Sequence, residues 1–185
     1  ATSTAGSTAT SPAAPTPHGR ALMGRRPAWQ TWLGRAAWGV APAPDHWEGW
    51  AEECCFVVDE QGGIVSPSSL TALIAVRELA REPGGTIIHN LITSRTVPEV
   101  VAEQGGVAVR TRVGHSFIKQ RMAETGAVFG GEHSGHFYFR DFWRADSGML
   151  AALHVLSALG STDLPLSQLL TDFDRYAASG EINTT

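Results

Sequence analysis

From Cys54 onward the chain runs in short blocks of apolar positions whose period switches between two and about 3.6. Cys54 to Asp59 is an apolar run bounded by Glu60-Gln61-Gly62-Gly63, and Ile64 and Val65 resume beyond it, which predicts a hairpin. Ser66 offers a helix cap and Pro67 suits a first helical turn. Leu70, Leu73, Ile74, Arg77 and Leu79-Ala80 keep helical spacing to Arg81, where Pro83-Gly84-Gly85 ends the helix. Thr86 to His89 reads as a buried strand. Ser94 or Thr96 can cap a helix from Val97 to Gln104, stopped by Gly105-Gly106. Val107 to Arg112 alternates on β-branched residues and predicts a strand, His115 to Thr125 a third helix closed by Gly126, and Ala127 to Phe129 another strand. Phe137 to Phe139 is strand-like. Asp146 is a cap for a fourth helix, Ser147 to Leu159, with Leu150, Leu153, His154 and Leu156 facing inward. An amphipathic piece, Leu166 to Phe173, precedes Tyr176 and a polar ending, Ser179 to Thr185.

This alternation predicts an α/β fold, a three-layer α/β/α domain over residues 54–160 with a small mixed sheet covered by helices. Ligands of such sheets gather at strand ends, so the segments 113–116 and 131–136 are expected to share an edge. Residues 1–53 differ in kind. They hold five of the six Trp and six of the ten Pro, and Ala, Thr, Ser, Pro and Gly make up nearly all of the first seventeen positions. Such a stretch buries little apolar surface and is expected to be disordered, with at most a short helix around Trp29, Trp32 and Leu33.

Charge and composition narrow the function classes. A net charge of −4 with 43% hydrophobic residues fits a globular protein and gives no reason to expect nucleic-acid or membrane partners. No window offers about eighteen uncharged apolar residues, the length of a membrane span. The first residues lack the basic and apolar blocks of a secretory signal. Cys54 and Cys55 are adjacent, so a bridge between them would be strained, and they read as reduced thiols of a cytoplasmic protein.

The densest chemistry lies in Gly130 to His136, GGEHSGH, just before the aromatic run. Glu132 can accept two hydroxyl protons and Ser134 can donate and accept, so the loop suits a polyhydroxylated ligand. Glycines let a backbone approach a ligand closely. A metal site is the alternative, although the spacing of Glu132, His133 and His136 matches neither a helical His-Glu-x-x-His arrangement nor a Cys/His finger. A plain polar surface loop is the third reading.

GEHSGH at 131–136 resembles the sugar-binding loop of the α-phosphohexomutases, the phosphomannomutase/phosphoglucomutase enzymes, whose usual form is Gly-Glu-x-Ser-Gly-His. Gly114-His115-Ser116-Phe117-Ile118-Lys119 is similar to a second family motif, Gly-His-Ser-x-Ile-Lys, and the run from Cys55 to Leu159 resembles the third domain in order and spacing. The resemblance implies that Glu132 and Ser134 grip ring hydroxyls of a hexose phosphate, mannose or glucose phosphate. It implies that His136 and His115 face the substrate and that Lys119 is within reach of a phosphate. Either histidine could act as acid or base or simply orient its loop. Residues 161–185 resemble the connection toward a fourth domain.

The resemblance also implies a first-domain phosphoserine and a magnesium loop, Asp-Gly-Asp-x-Asp-Arg, placed directly before Cys55. The chain has Gly49-Trp50-Ala51-Glu52-Glu53-Cys54 there, so the Mg2+ loop of the full-length family is not expected in it. No phosphoserine motif is recognisable in residues 1–53, whose abrupt junction with the family pattern suggests a shifted frame or a mis-joined gene. The expectation is therefore a truncated chain, inactive alone, with no catalytic residue of its own. Ile92 stands where some relatives place a substrate-contacting lysine, which leaves sugar preference open. Two alternatives stay open: a non-catalytic hexose-phosphate binding module, and a metal-dependent hydrolase using His115, Glu132, His133 and His136.

Overall fold

A computed structural model describes residues 56–178 of the chain. The expectations about residues 1–53, the thiols of Cys54 and Cys55, and the ending Ser179 to Thr185 lie outside the described residues. The order of elements is helix α1 (Pro67–Arg81), strand β1 (Thr86–Asn90), α2 (Thr96–Glu103), β2 (Val107–Thr111), α3 (His115–Thr125), β3 (Phe129–Gly131), β4 (Phe137–Phe139), β5 (Ala145–Asp146), α4 (Gly148–Gly160), the single turn α5 (Leu166–Leu169) and a 3-10 turn, Thr171–Phe173. The five strands form one mixed sheet in the order β2-β1-β3-β4-β5. β1 pairs in parallel with β2 and β3, whereas β3–β4 and β4–β5 are antiparallel.

Alternation of side chains along the strands divides the core in two. Ile87, Phe129, Phe137 and Phe139 share one cluster with Leu70, Leu73 and Ile74 of α1, Val97 and Val101 of α2, and Val155 and Leu159 of α4. Ile88 and Tyr138 point the other way and meet Ile118 and Met122 of α3. Helices thus lie on both faces, the three-layer α/β/α arrangement that the alternation predicts. Leu166 and Leu170, past Gly160, are also buried in the larger cluster.

One helix start and one helix end match their sequence signals, whereas the N-cap of α2 is Arg95, with no side-chain cap bond, and not Ser94 or Thr96 as expected. Ser66 Oγ accepts from Ser68 N at 3.3 Å with Pro67 in the first turn, and Gly126 closes α3 at φ 68°. The first hairpin is reduced to a single bridge, Val58 to Ile64, around a turn whose amides Gln61 and Gly63 donate to the Asp59 carboxylate.

Three more expectations need correction. The strand predicted at Ala127–Phe129 lies at Phe129–Gly131, because its two glycines are strand residues and not loop. A Cβ on Gly131 would sit 2.9 Å from Thr71 Cβ of α1, and one on Gly130 would sit 3.0 Å from Ile118 Cγ2 of α3. Helices press on the sheet from both faces there, and only glycine leaves room.

Asp146 does not cap α4. It lies in β5, where its carboxylate accepts from Phe137 N of β4 at 2.7 Å, and Ser147 Oγ takes the capping position by accepting from Leu150 N. β5 itself was invisible in the sequence because the turn into it uses Trp143 and Arg144, both at φ 54°, where Gly, Asn or Asp would normally announce a left-handed turn. The buried face of α4 is Ala151, Val155, Ala158 and Leu159, leaving Leu153 54% exposed. The amphipathic piece Leu166 to Phe173 forms a turn of α-helix succeeded by a 3-10 turn.

Replacing Gly131 with alanine is expected to cost about 1–3 kcal/mol of stability, the range for overpacking. Gly130→Ala is expected to cost less, because the Ile118 and Met122 side chains it meets can yield. Denaturant unfolding of the two variants checks this, and an unchanged midpoint for Gly131→Ala would contradict the tight helix–sheet contact.

Candidate functional site

The three parallel strands end side by side, and the segments leaving them converge. β1 ends in Asn90, β2 leads through Gly114 into the first turn of α3, and β3 runs straight into Glu132. The loop 132–136 is a tight turn, with Gly135 N donating to Glu132 O at 3.1 Å and Glu132 N to His136 O at 3.0 Å, and with Gly135 at φ 88°. That geometry forces the Glu132 side chain inward, where it is 1% exposed.

Three donors from three elements meet its carboxylate. Asn90 Nδ2 donates to Oε1 at 3.2 Å, Gly114 N donates to Oε1 at 3.0 Å, and the Tyr138 hydroxyl donates to Oε2 at 2.8 Å. Thr93 Oγ1 in turn donates to Asn90 Oδ1 at 2.7 Å, which holds that amide in place. A carboxylate has about four acceptor positions. With three taken, Glu132 has room for about one hydroxyl proton from a ligand, not the two that its chemistry alone allows.

Beside Glu132 two histidine rings meet edge to face. The rings of His115 and His136 are 4.4 Å apart at 66°, and Tyr138 OH lies 2.8 Å from His115 Nδ1. Ser134 Oγ pairs with His136 Nδ1 at 2.9 Å. Lys119, one turn along α3 from His115, holds its ammonium 6.0 Å from the centre of the Tyr138 ring. All five residues singled out in the sequence, Glu132, Ser134, His136, His115 and Lys119, therefore lie together at one sheet edge. His115 and Lys119 are exposed, Ser134 is half-buried, and Glu132 and His136 form the buried floor.

His133 parts from the group. Its Nδ1 pairs with Ser68 Oγ at 2.8 Å, and that oxygen also accepts from Ser94 N at 3.1 Å, so His133 fastens the loop to α1 and to the β1–α2 connection. Partial burial pushes its pKa down. Its absence from the cluster corrects the four-residue metal arrangement.

His115, Glu132 and His136 still offer ligand atoms within 4.8 Å of one another, and among the described residues they are the one group of three or more metal-binding side chains so placed. Two imidazoles and a carboxylate suit zinc and do not suit magnesium, which takes oxygen ligands in an octahedron. The described residues thus do not fit a magnesium ion. Gly49 to Cys54, where the family loop would stand, lies outside them.

Sequence reasoning missed Asn90, Thr93 and Tyr138. The signal for Asn90 was a polar residue closing an apolar strand; for Tyr138 it was a hydroxyl amid buried aromatics. Ile92, at the turn after β1, is 57% exposed.

The fold and this edge define the class: a three-layer α/β/α domain whose parallel strand ends surround a buried carboxylate flanked by histidines. Residues 66–176 match the phosphoglucomutase/phosphomannomutase, α/β/α domain III, family. The chain is 41% identical over 127 residues to the phosphomannomutase of Methanocaldococcus jannaschii, across 69% of this chain and 28% of that one. It is 40% identical over 131 residues to the phosphomannomutase of Escherichia coli K12, across 70% and 29%. Among solved structures, a phosphoglucomutase/phosphomannomutase family protein of Burkholderia thailandensis superposes with a TM-score of 0.58 at 35% identity, covering 62% of this chain and 25% of that one. The phosphoglucomutase parafusin of Paramecium, at 20% identity and a TM-score of 0.53 over 64% and 22%, shares the fold. The chain belongs to the phosphoglucomutase/phosphomannomutase family and carries its third domain. It spans less than a third of the length of the relatives it matches. Among the described residues no helix is long and apolar enough to cross a membrane.

Acid sensitivity is expected from three imidazoles that are buried or partly buried. Burial lowers the pKa of His89, His133 and His154 below the ordinary 6.5. Each releases its proton more readily in the fold than in the unfolded chain, which titrates near pH 6.5, so their contribution is complete above that pH and is lost as pH falls below it. Paired carboxylates such as Glu82, lowered from 4.5 by its hydrogen bonds to Arg140, keep theirs until lower pH. The melting temperature is expected to be level from about pH 8 to 7 and to decline from about 6.5 toward 5. A rise on acidification in thermal melts would contradict this.

Proposed function

We propose that this domain supplies sugar recognition for intramolecular phosphoryl transfer on a hexose phosphate, mannose or glucose phosphate, as in a phosphohexomutase, an isomerase. The observation that carries the reading is the Gly114 N to Glu132 Oε1 bond, which draws the two family motifs onto one carboxylate. Ser134 and His115 present a hydroxyl and an imidazole at the solvent side, and Glu132 has about one acceptor position left for a ring hydroxyl. Lys119 provides a cation within the same edge for a phosphate. A hexose that must present first one end and then the other gains from contacts to its ring alcohols that do not depend on which end carries the phosphate. The residues on this edge bind and orient the ring; none is assigned the transferred phosphoryl group. In the full-length family the magnesium ion neutralises phosphate charge, and no step on this edge is assigned to it. The reading puts the protein in the cytoplasm, where Cys54 and Cys55 stay reduced.

Calorimetric titration with mannose 6-phosphate and glucose 6-phosphate tests it. Wild type is expected to bind, and Ser134→Ala to weaken binding by about tenfold, the loss of roughly one hydrogen bond to a charged or polar ligand. Equal affinity in the two proteins would contradict the assigned role. Conversion of mannose 1-phosphate to the 6-phosphate by this chain alone would show catalysis beyond recognition and overturn the binding-module alternative.

A metal-dependent reading is favoured by one observation, the His115–Glu132–His136 cluster. Elemental analysis of protein purified without a histidine tag separates the two: stoichiometric zinc that is lost in His136→Ala would replace the sugar reading.

A further inference from the structure

Tyr138 is fully buried between β3 and β5, and burying a hydroxyl is costly unless it is hydrogen-bonded. Its oxygen has two partners at the same distance. It donates to Glu132 Oε2 at 2.8 Å and lies 2.8 Å from His115 Nδ1. A phenol has one proton. With that proton directed to the carboxylate, the contact with His115 is a hydrogen bond only when Nδ1 carries hydrogen and the phenol oxygen accepts. The neutral ring then bears its lone pair on Nε2, the reverse of the tautomer that a free histidine side chain favours.

We propose that Tyr138 is a positioning residue that sets the tautomer and orientation of His115 and ties both to Glu132. The consequence is chemical. His115 is the first residue of α3 and exposed, so an Nε2 lone pair makes it an acceptor toward a bound molecule, while its Nδ1 is committed to the protein. Glu132, Tyr138 and His115 form one chain in which a ligand hydroxyl donating to Nε2 would polarise the Nδ1–H, the phenol and the carboxylate in turn. Phenylalanine at 138 would fill the same space between α3 and the sheet, where Ile118 and Met122 pack, yet would leave His115 Nδ1 without this partner. The tautomer assignment rests on the hydrogen-bond geometry alone, whereas the acceptor role toward a hexose phosphate rests on the sugar-recognition reading.

The test is a long-range nitrogen–proton correlation spectrum of the full chain at about pH 8, where an ordinary imidazole is neutral, with His115 assigned through His115→Gln. Wild type is expected to show hydrogen on Nδ1, and Tyr138→Phe to shift His115 toward hydrogen on Nε2 while the amide spectrum stays folded. Hydrogen on Nε2 in wild type overturns the proposal, and that result needs no variant to fold. An unchanged tautomer in Tyr138→Phe overturns it as well. Titration with mannose 6-phosphate adds the second arm: Tyr138→Phe is expected to bind about tenfold more weakly. Hydrogen on Nδ1 in a wild type that binds no sugar phosphate supports the tautomer assignment and sinks the hexose reading alone.

Discussion

The Glu132 carboxylate is the point on which the geometry of this domain's candidate site depends. Burying a charged group is unfavourable unless donors surround it, and here they come from three separate places: the end of β1, the turn into α3 and the middle of β4. Without the carboxylate the Asn90 amide and the Gly114 N–H would lose this acceptor, and an unsatisfied buried polar group costs on the order of 1–3 kcal/mol. Such an arrangement works as a fastener. It specifies where the backbone of Gly114 lies relative to the loop 132–136, and through Tyr138 it specifies how His115 is turned. The groups left at the surface, His115, Ser134 and Lys119, therefore have positions set from beneath.

The scaffold is built to bring that carboxylate inward. Gly130 and Gly131 allow α3 and α1 to close on the sheet from opposite sides, and the strand they form delivers Glu132 at its end. Gly135 then reverses the chain within a few residues, returning it as the aromatic β4. His133 points away and pairs with Ser68, so the same loop is anchored on the other side of the sheet edge to α1. Two anchors on opposite flanks, one carboxylate and one imidazole, give a short loop little freedom. Paired glycines commonly suggest close approach to a ligand; in Gly130-Gly131 the close approach is to the protein's own helices.

Much of this was legible in the sequence because local signals and the global pattern agreed. Ser66-Pro67, Gly105-Gly106 and Gly126 marked helix ends that the fold uses, and β-branched runs marked β1 and β2. The two glycine-rich motifs pointed to the same edge. The features that escaped were decided by tertiary contact. β5 comes after a turn made by Trp143 and Arg144 in a conformation their side chains do not advertise, and the strand start at Phe129 depends on pairing with Ile87. The buried face of α4 is Ala151, Val155, Ala158 and Leu159, while Leu153 points to solvent. At the site, Glu132 was legible as chemistry but not as a buried hub. Its partner Asn90 sits on a strand far away in sequence, and Tyr138 hides among aromatics, so nothing near either announces the contact.

The chain belongs to the phosphoglucomutase/phosphomannomutase family, and the Glu132 hub gives a physical reason why the two motifs meet at one sheet edge. The most direct measurement tracks the Gly114 amide by nuclear magnetic resonance while mannose 6-phosphate is added to the chain. A saturable shift of Gly114 together with the amides of 132–136, absent in Glu132→Gln, is the predicted result. Saturable binding that moves signals elsewhere and leaves Gly114 and this loop unchanged would contradict the account.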